Sequence, residues 1–164
     1  MGYSSRFSID TNVLIDLHRG NVLKEFFMLP YTFIAPDVII EELLEPSGLY
    51  STSLGLQRGE LSGEGVSEVI FLTGQHPNIA VTDFFALVLA KSMDIPLLTG
   101  DSRLRSLAEK HNLVVHGTLW VLDEMIVKYI LKPIEASRAL RNMLDRGSRL
   151  PLVECQTRFR VWER

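Results

Sequence analysis

Short apolar runs and longer amphipathic ones alternate along the chain. Runs of strand length fall near residues 6–10, 32–35, 57–61, 96–99 and 113–116. Between them, apolar positions recur at helical spacing near 12–29, 38–45, 63–75, 83–93 and 102–111. Such alternation predicts a mostly parallel sheet covered by helices. After "VVHG" the pattern stays helical, over roughly 118–131, 134–145 and 151–162, with Pro133 and Pro151 suited to first turns and Gly147 to a terminator. Patterning is weakest in "EPSGLYSTSLGLQRGELSGEG", residues 45–65, which is rich in Gly and Ser. Neither an internal repeat nor a linker is visible.

The chain has 164 residues, 46% of them hydrophobic, which suits one domain with a sizeable core. No apolar stretch reaches the ~18 residues expected of a membrane span, and no basic segment followed by a long apolar one opens the sequence. The expectation is a cytoplasmic protein. Cys155 is the only cysteine, so an intramolecular disulfide and a cysteine-rich zinc site are both excluded. The net charge of -3 is unevenly distributed. Residues 1–127 hold 8 Lys and Arg against 16 Asp and Glu, whereas residues 128–164 hold 9 against 4. A basic tail of this kind is either a solvated helical surface or a local attractor for a polyanion, with Arg138, Arg141, Arg146 and Arg149 as its candidates.

Several carboxylates stand where strands give way to helices. In "FSIDTNVLIDL" Asp10 follows a strand and precedes a helix, a place suited to capping and also to a ligand site at the carboxyl edge of a sheet. Asp101, in "IPLLTGDSRLRSLAEK", repeats that situation. Asp83, in "AVTDFFALVLAK", shares a helix face with Ala86, Leu87 and Ala90, so it needs a partner if buried. Thr82 is placed to cap that helix. In "APDVIIEELLEP", Glu41 and Glu42 lie on either flank of the apolar stripe, both about 130° from its centre, and periodicity leaves the two open. Asp16, Glu45 and Asp123 are expected to be solvated.

Other chemistries lack their residues. A phosphatase of the aspartyl-phosphate type wants a second Asp two positions after the first, where this chain has Asn12, and no Gly-rich loop ends in Lys-Ser or Lys-Thr. His18, His76, His111 and His116 have no ligand-like or triad-like spacing, and Trp120 and Trp162 read as packing anchors.

With these stretches in order, "IDTNVLIDL", "APDVIIEELL", "VTDFFALVLAKSMDIPLLTGDSRLRSLAE" and "LVVHGTLWVLDEMI", the sequence resembles the PIN-domain nucleases, which include VapC-type toxins of toxin–antitoxin pairs. The later "LRNMLDRGSRLPLVEC" resembles the helical tail of a PIN subgroup of unassigned function. The resemblance implies a Rossmann-like three-layer α/β/α sandwich spanning residues 1–164 as one domain, with 118–164 a helical extension. It places the family's acidic set on Asp10, Glu42, Asp83 and Asp101, both as catalytic residues and as metal ligands, with Glu42 preferred because "ELL" begins there and Glu41 as the alternative. Asn12 and Thr99 become supports of the carboxylates, and Arg103 and Arg105 candidate phosphate contacts or a solvated helix face.

Four carboxylates gathered at ~5 Å spacing would repel by ~3 kcal/mol per pair at an effective dielectric of about 20, so they call for a cation or protons. Oxygen donors point to Mg²⁺ or Mn²⁺. The resulting expectation is a metal-dependent endoribonuclease acting on RNA, the toxin of an antitoxin-controlled pair, forming a homodimer by family resemblance. The alternatives are an RNA-processing nuclease without an antitoxin, or a PIN scaffold that binds RNA or protein without cutting.

Overall fold

The computed structural model describes residues 5–164. Five strands, β1 (Arg6–Ile9), β2 (Thr32–Pro36), β3 (Gln57–Gly59), β4 (Leu97–Leu98) and β5 (Val115–His116), pair in one all-parallel sheet in the order β3-β2-β1-β4-β5. From β1 the chain runs through α1 (Thr11–Arg19) and α2 (Leu23–Phe26) to β2, then through α3 (Asp37–Glu42) and α4 (Gly48–Leu54) to the edge strand β3. It returns across the sheet through α5 (Gly63–Gln75) and α6 (Val81–Met93) and enters β4 on the other side of β1. The strand order therefore reverses between β1 and β4, and a crevice opens outside their carboxyl ends. α7 (Ser102–Lys110) leads to β5, and α8 (Thr118–Val127), α9 (Pro133–Asp145) and α10 (Leu152–Trp162) form the expected helical C-terminal region.

The two sheet faces differ in chemistry. On one face, Phe7 and Phe33 join the rings of Phe26 on α2 and Trp120 on α8, at centroid distances of 4.0 Å for Phe26–Phe33 and 5.5 Å for Phe7–Trp120. Contacts of this kind bury large apolar areas and add edge or offset ring attraction. The other face meets α6, which packs across β1, β2 and β4. There Ser8 donates its hydroxyl to the Ala86 carbonyl at 2.8 Å. At Gly59 an added Cβ would stand 2.8 Å from Leu89 Cδ2 and 2.9 Å from Ile34 Cγ2, so the absent side chain lets α6 sit close to the sheet.

Two expectations are corrected. The helix expected over 12–29 is two helices, because Asn21 takes a left-handed conformation, φ 58, that Asn tolerates and a helix does not. The stretch 45–65 contains α4, capped by the Ser47 hydroxyl, which accepts from the Tyr50 amide at 3.1 Å. That helix packs through backbone: a Cβ on Gly48 would lie 2.0 Å from the Ile40 carbonyl oxygen. A helix held by such an approach shows no apolar period. Among the described residues no helix is long and apolar enough to cross a membrane.

Candidate active site

Strand register assembles the site. Ser8 pairs with Leu97 and Ile9 with Leu98, so the next step along both strands sets Asp10 beside Thr99. The Asp10 amide donates to the Leu98 carbonyl at 3.0 Å, and the Thr99 hydroxyl donates to Asp10 Oδ2 at 2.9 Å. Thr99 Oγ1 in turn accepts from the Asp101 amide at 3.1 Å. One hydroxyl thus ties the two strand ends together. Asn12 Nδ2 and Thr11 Oγ1 add longer contacts to Asp10, at 3.4 Å and 3.3 Å.

The helix-to-strand contact brings in Asp83 by the same logic. Ser8 and Asp10 share one face of β1, while Ala86 and Asp83, three residues apart, share one face of α6. Because Ser8 meets Ala86, Asp10 meets Asp83. Asp10 is 0% exposed and Asp83 7%. Burial raises the Asp10 carboxyl above the usual carboxylate range, against the lowering influence of Thr99, the Thr11 amide, Asp83 and the Thr11 hydroxyl. Burial first, then the Asp10 charge and contact, then the Asp101 charge, push Asp83 up to about 7. Two carboxylates in contact cannot both ionise cheaply, so near neutral pH the pair holds a proton.

Asp101 is arranged otherwise. Its Oδ1 accepts from the Arg103 and Leu104 amides at 2.9 and 2.8 Å, capping α7. Asp10 also occupies an N-cap position, but its side chain makes no cap bond to α1. Glu42 stands at the rim, where it lines a cleft of about 720 Å³ together with Thr11 and Thr82. Glu41 turns instead to Arg58 on β3, at 3.2 Å. The cleft continues along α1 to His18, Arg19 and Arg146. Arg103 donates to the Asn78 carbonyl at 3.1 Å and Arg105 to the Val115 carbonyl at 3.4 Å, and neither lines this cleft.

Three further readings change. Thr82 does not cap α6: the N-cap is Ala80, and Thr82 lies in the first turn on the cleft wall. Asp16 is not solvated but 7% exposed; burial raises its pKa, and it accepts from the Thr118 hydroxyl at 2.9 Å. It lies three residues after Val13 and one before Leu17, on the buried stripe of α1, and that spacing was the available signal. His116, whose spacing offered no ligand or triad role, stacks on Trp120 with centroids 4.1 Å apart. Asp123, also expected in water, is only half-exposed and pairs with Arg158 at 2.6 Å.

A family model described as DUF3368: PIN domain matches residues 7–164. The chain belongs to the PIN-domain family. PIN domains are typically nucleases and generally use divalent metals. Among solved structures, a PilT N-terminus domain protein, SSO1118, from the hyperthermophilic archaeon Sulfolobus solfataricus P2 is similar to this PIN domain, with a TM-score of 0.54 and 12% identity. The likeness covers 74% of this chain and 93% of that one, and it supports the fold. No curated protein matched the chain.

The donors in this PIN domain suit a hard divalent cation, since Asp10 and Asp83 offer oxygen atoms whose combined charge is otherwise held by a proton. Among the described residues, however, no three acidic, His or Cys side chains converge closely enough to hold one ion together. Asp10 and Asp83 meet, Asp101 acts on Asp83 through its charge, and Glu42 stands at the cleft.

Proposed function

We propose that this PIN domain is a Mg²⁺- or Mn²⁺-dependent endoribonuclease. The observation that carries the reading is the buried Asp10–Asp83 pair, set at the carboxyl edge where the strand order reverses. No packing need explains two touching carboxylates there, because burying such charge costs free energy unless a ligand uses it.

Asp10 and Asp83, the two carboxylates that meet, would hold the cation, with Asp101 and Glu42 as further carboxylates turned toward it from the strand end and the cleft. A bound divalent ion would supply a polarised water and offset charge developing on a phosphodiester. Thr99 fixes the Asp10 oxygen through its 2.9 Å bond and aligns Asp101 through the 3.1 Å amide contact. Burial and the Asp10 charge push Asp83 up to about 7 in the metal-free site, so a bound cation would take the place of the proton that Asp83 holds there. Thr11 and Thr82 offer hydroxyls on the cleft wall for a strand lying across the acids.

The finer reading is a toxin restrained by an antitoxin, working as a homodimer. Growth arrest on expression, relieved by the product of an adjacent small gene, would support it. A binding module without turnover is the second reading, favoured by the lack of a converged three-ligand cluster among the described residues.

Cleavage of generic single-stranded RNA decides between them. The nuclease cuts with Mg²⁺ or Mn²⁺, stops in excess EDTA and resumes on repletion. RNA that is bound but uncut under every metal condition overturns the nuclease in favour of the module.

A further inference from the structure

The cleft lined by Glu42 and by Thr11 and Thr82, the neighbours of Asp10 and Asp83 in sequence, also takes in two arginines from distant parts of the chain. Arg19 closes α1, eight residues after Thr11, or ~12 Å along the helix. Arg146 arrives from the C-terminus of α9, where its Nη1 donates to the Arg19 carbonyl at 3.0 Å and to Asn21 Oδ1 at 3.1 Å. Both line the same cleft as Glu42, Thr11 and Thr82.

These guanidinium groups are held in place without an ion pair among the described residues. Arg19 has a weak contact to the Ser148 hydroxyl at 3.5 Å and acts on Asp16 through its charge, but neither Arg19 nor Arg146 forms an ion pair among the described residues. Two other tail arginines are engaged, Arg141 with Glu163 and over the Phe159 ring, and Arg158 with Asp123. His18, on the same wall, faces Glu45 at 3.6 Å and is left aside. The cleft thus carries Glu42 beside Thr11 and Thr82 and, next to His18 and Glu45, two guanidinium groups that form no ion pair among the described residues.

We propose that Arg19 and Arg146 form a backbone-phosphate subsite, gripping a single-stranded RNA on one flank of the bond placed at Asp10 and Asp83. Guanidinium forks suit phosphate oxygens, and Arg146 already spends one nitrogen on fixing its own position. Arg146 belongs to the helical extension, so that extension contributes to substrate binding as well as to packing. The inference rests on the nuclease reading for the identity of the strand.

Anisotropy of a short, labelled, mixed-sequence single-stranded RNA, measured in EDTA with the full chain, tests this without cleavage. Arg19→Gln and Arg146→Gln should each weaken binding by about 3- to 10-fold, and the double variant should flatten the log–log salt slope by ~1.4, at ~0.7 per phosphate contact. Arg146→Lys, which keeps the charge, should retain most of the slope and exposes any loss due to misfolding. Arg138→Gln, on an exposed position of α9 outside the cleft, should change neither quantity. If the double variant binds like Arg138→Gln, or the wild type does not bind, the subsite is overturned. Arginine-dependent binding by a protein that never cuts would uphold the subsite and remove the nuclease. Cutting with an unchanged KM in the double variant would do the reverse.

Discussion

The ends of β1 and β4 carry the same local pattern, a strand followed by Asp and then a helix, and they use it differently. Asp101 is a cap, with Oδ1 bonded to two amides of α7 and its side chain partly in water. Asp10 is fully buried, makes no cap bond, and touches a second carboxylate. The difference comes from the third element. α6 lies over β1 with Asp83 in its first turn, so whatever follows β1 on that face is buried against another acid. Capping propensity describes a local option, and long-range packing decides whether it is taken.

The largest contrast should appear on removing each charge while keeping the shape. Asp10→Asn should lower RNA cleavage at least a hundredfold and, in EDTA at about pH 8, stabilise the fold by on the order of 1 kcal/mol, because a repelled buried charge is removed. Thermal melts paired with cleavage rates check this. An active and no more stable variant would make Asp10 an ordinary strand-end residue.

Thr99 tests whether the two ends act together. Thr99→Val removes the donor to Asp10 and the acceptor for the Asp101 amide, and should cost about 1–3 kcal/mol along with activity. Thr99→Ser should restore both. Urea unfolding of the three proteins measures the difference, and a Val variant as stable and active as the wild type would uncouple the ends.

The pH dependence runs opposite to that of a salt-bridged aspartate. Asp83 has a folded pKa of about 7 against an ordinary 3.8, so between those values the folded state holds a proton that the unfolded chain has lost. This contribution is fully present below 3.8 and disappears as pH rises through 7. Metal-free protein should therefore melt lower at pH 8 than at pH 5.5, by roughly 2–4 °C for about 1 kcal/mol after solvent screening. Asp83→Asn should flatten that slope. A melting temperature that rises from pH 5.5 to pH 8 in EDTA would contradict the shared proton.

The smallest effect belongs to the cap. Asp101→Ala should lose about 1 kcal/mol, while Asp101→Asn, which caps equally well, should lose almost none. Yet both should reduce cleavage, since neither keeps the charge felt at Asp83. Equal stability of the two variants would refute the cap.

The α/β alternation and the parallel sheet were legible because strand and helix periods differ and each strand is followed by a helix long enough to cross back. Asp10 and Asp101 stood out as carboxylates at those junctions, and Asp83 as a carboxylate on an apolar helix face. What the chain did not reveal depends on contacts between distant elements. Asp16 looks like a solvated acid until α8 brings Thr118 to it. Arg146 looks like any tail arginine until α9 packs on α1, and Glu42 separates from Glu41 only once Arg58 on β3 takes the latter. The Asn21 break was hidden because the apolar spacing resumes in α2 against the same sheet face.

Gly59 sits at the far edge of the sheet and touches none of the acids, yet it bears on their separation. α6 behaves as a beam pinned near its middle by the Ser8–Ala86 bond and resting, about one turn nearer its C-terminus, through Leu89 on the bare backbone of Gly59. A methyl group there would lift the beam at its resting point and tilt it about the pin, moving Asp83 against Asp10 on the opposite side of the pivot. With a hydrogen bond as its fulcrum, such a lever would make an alteration at the sheet edge felt as a change in the aperture between the two carboxylates.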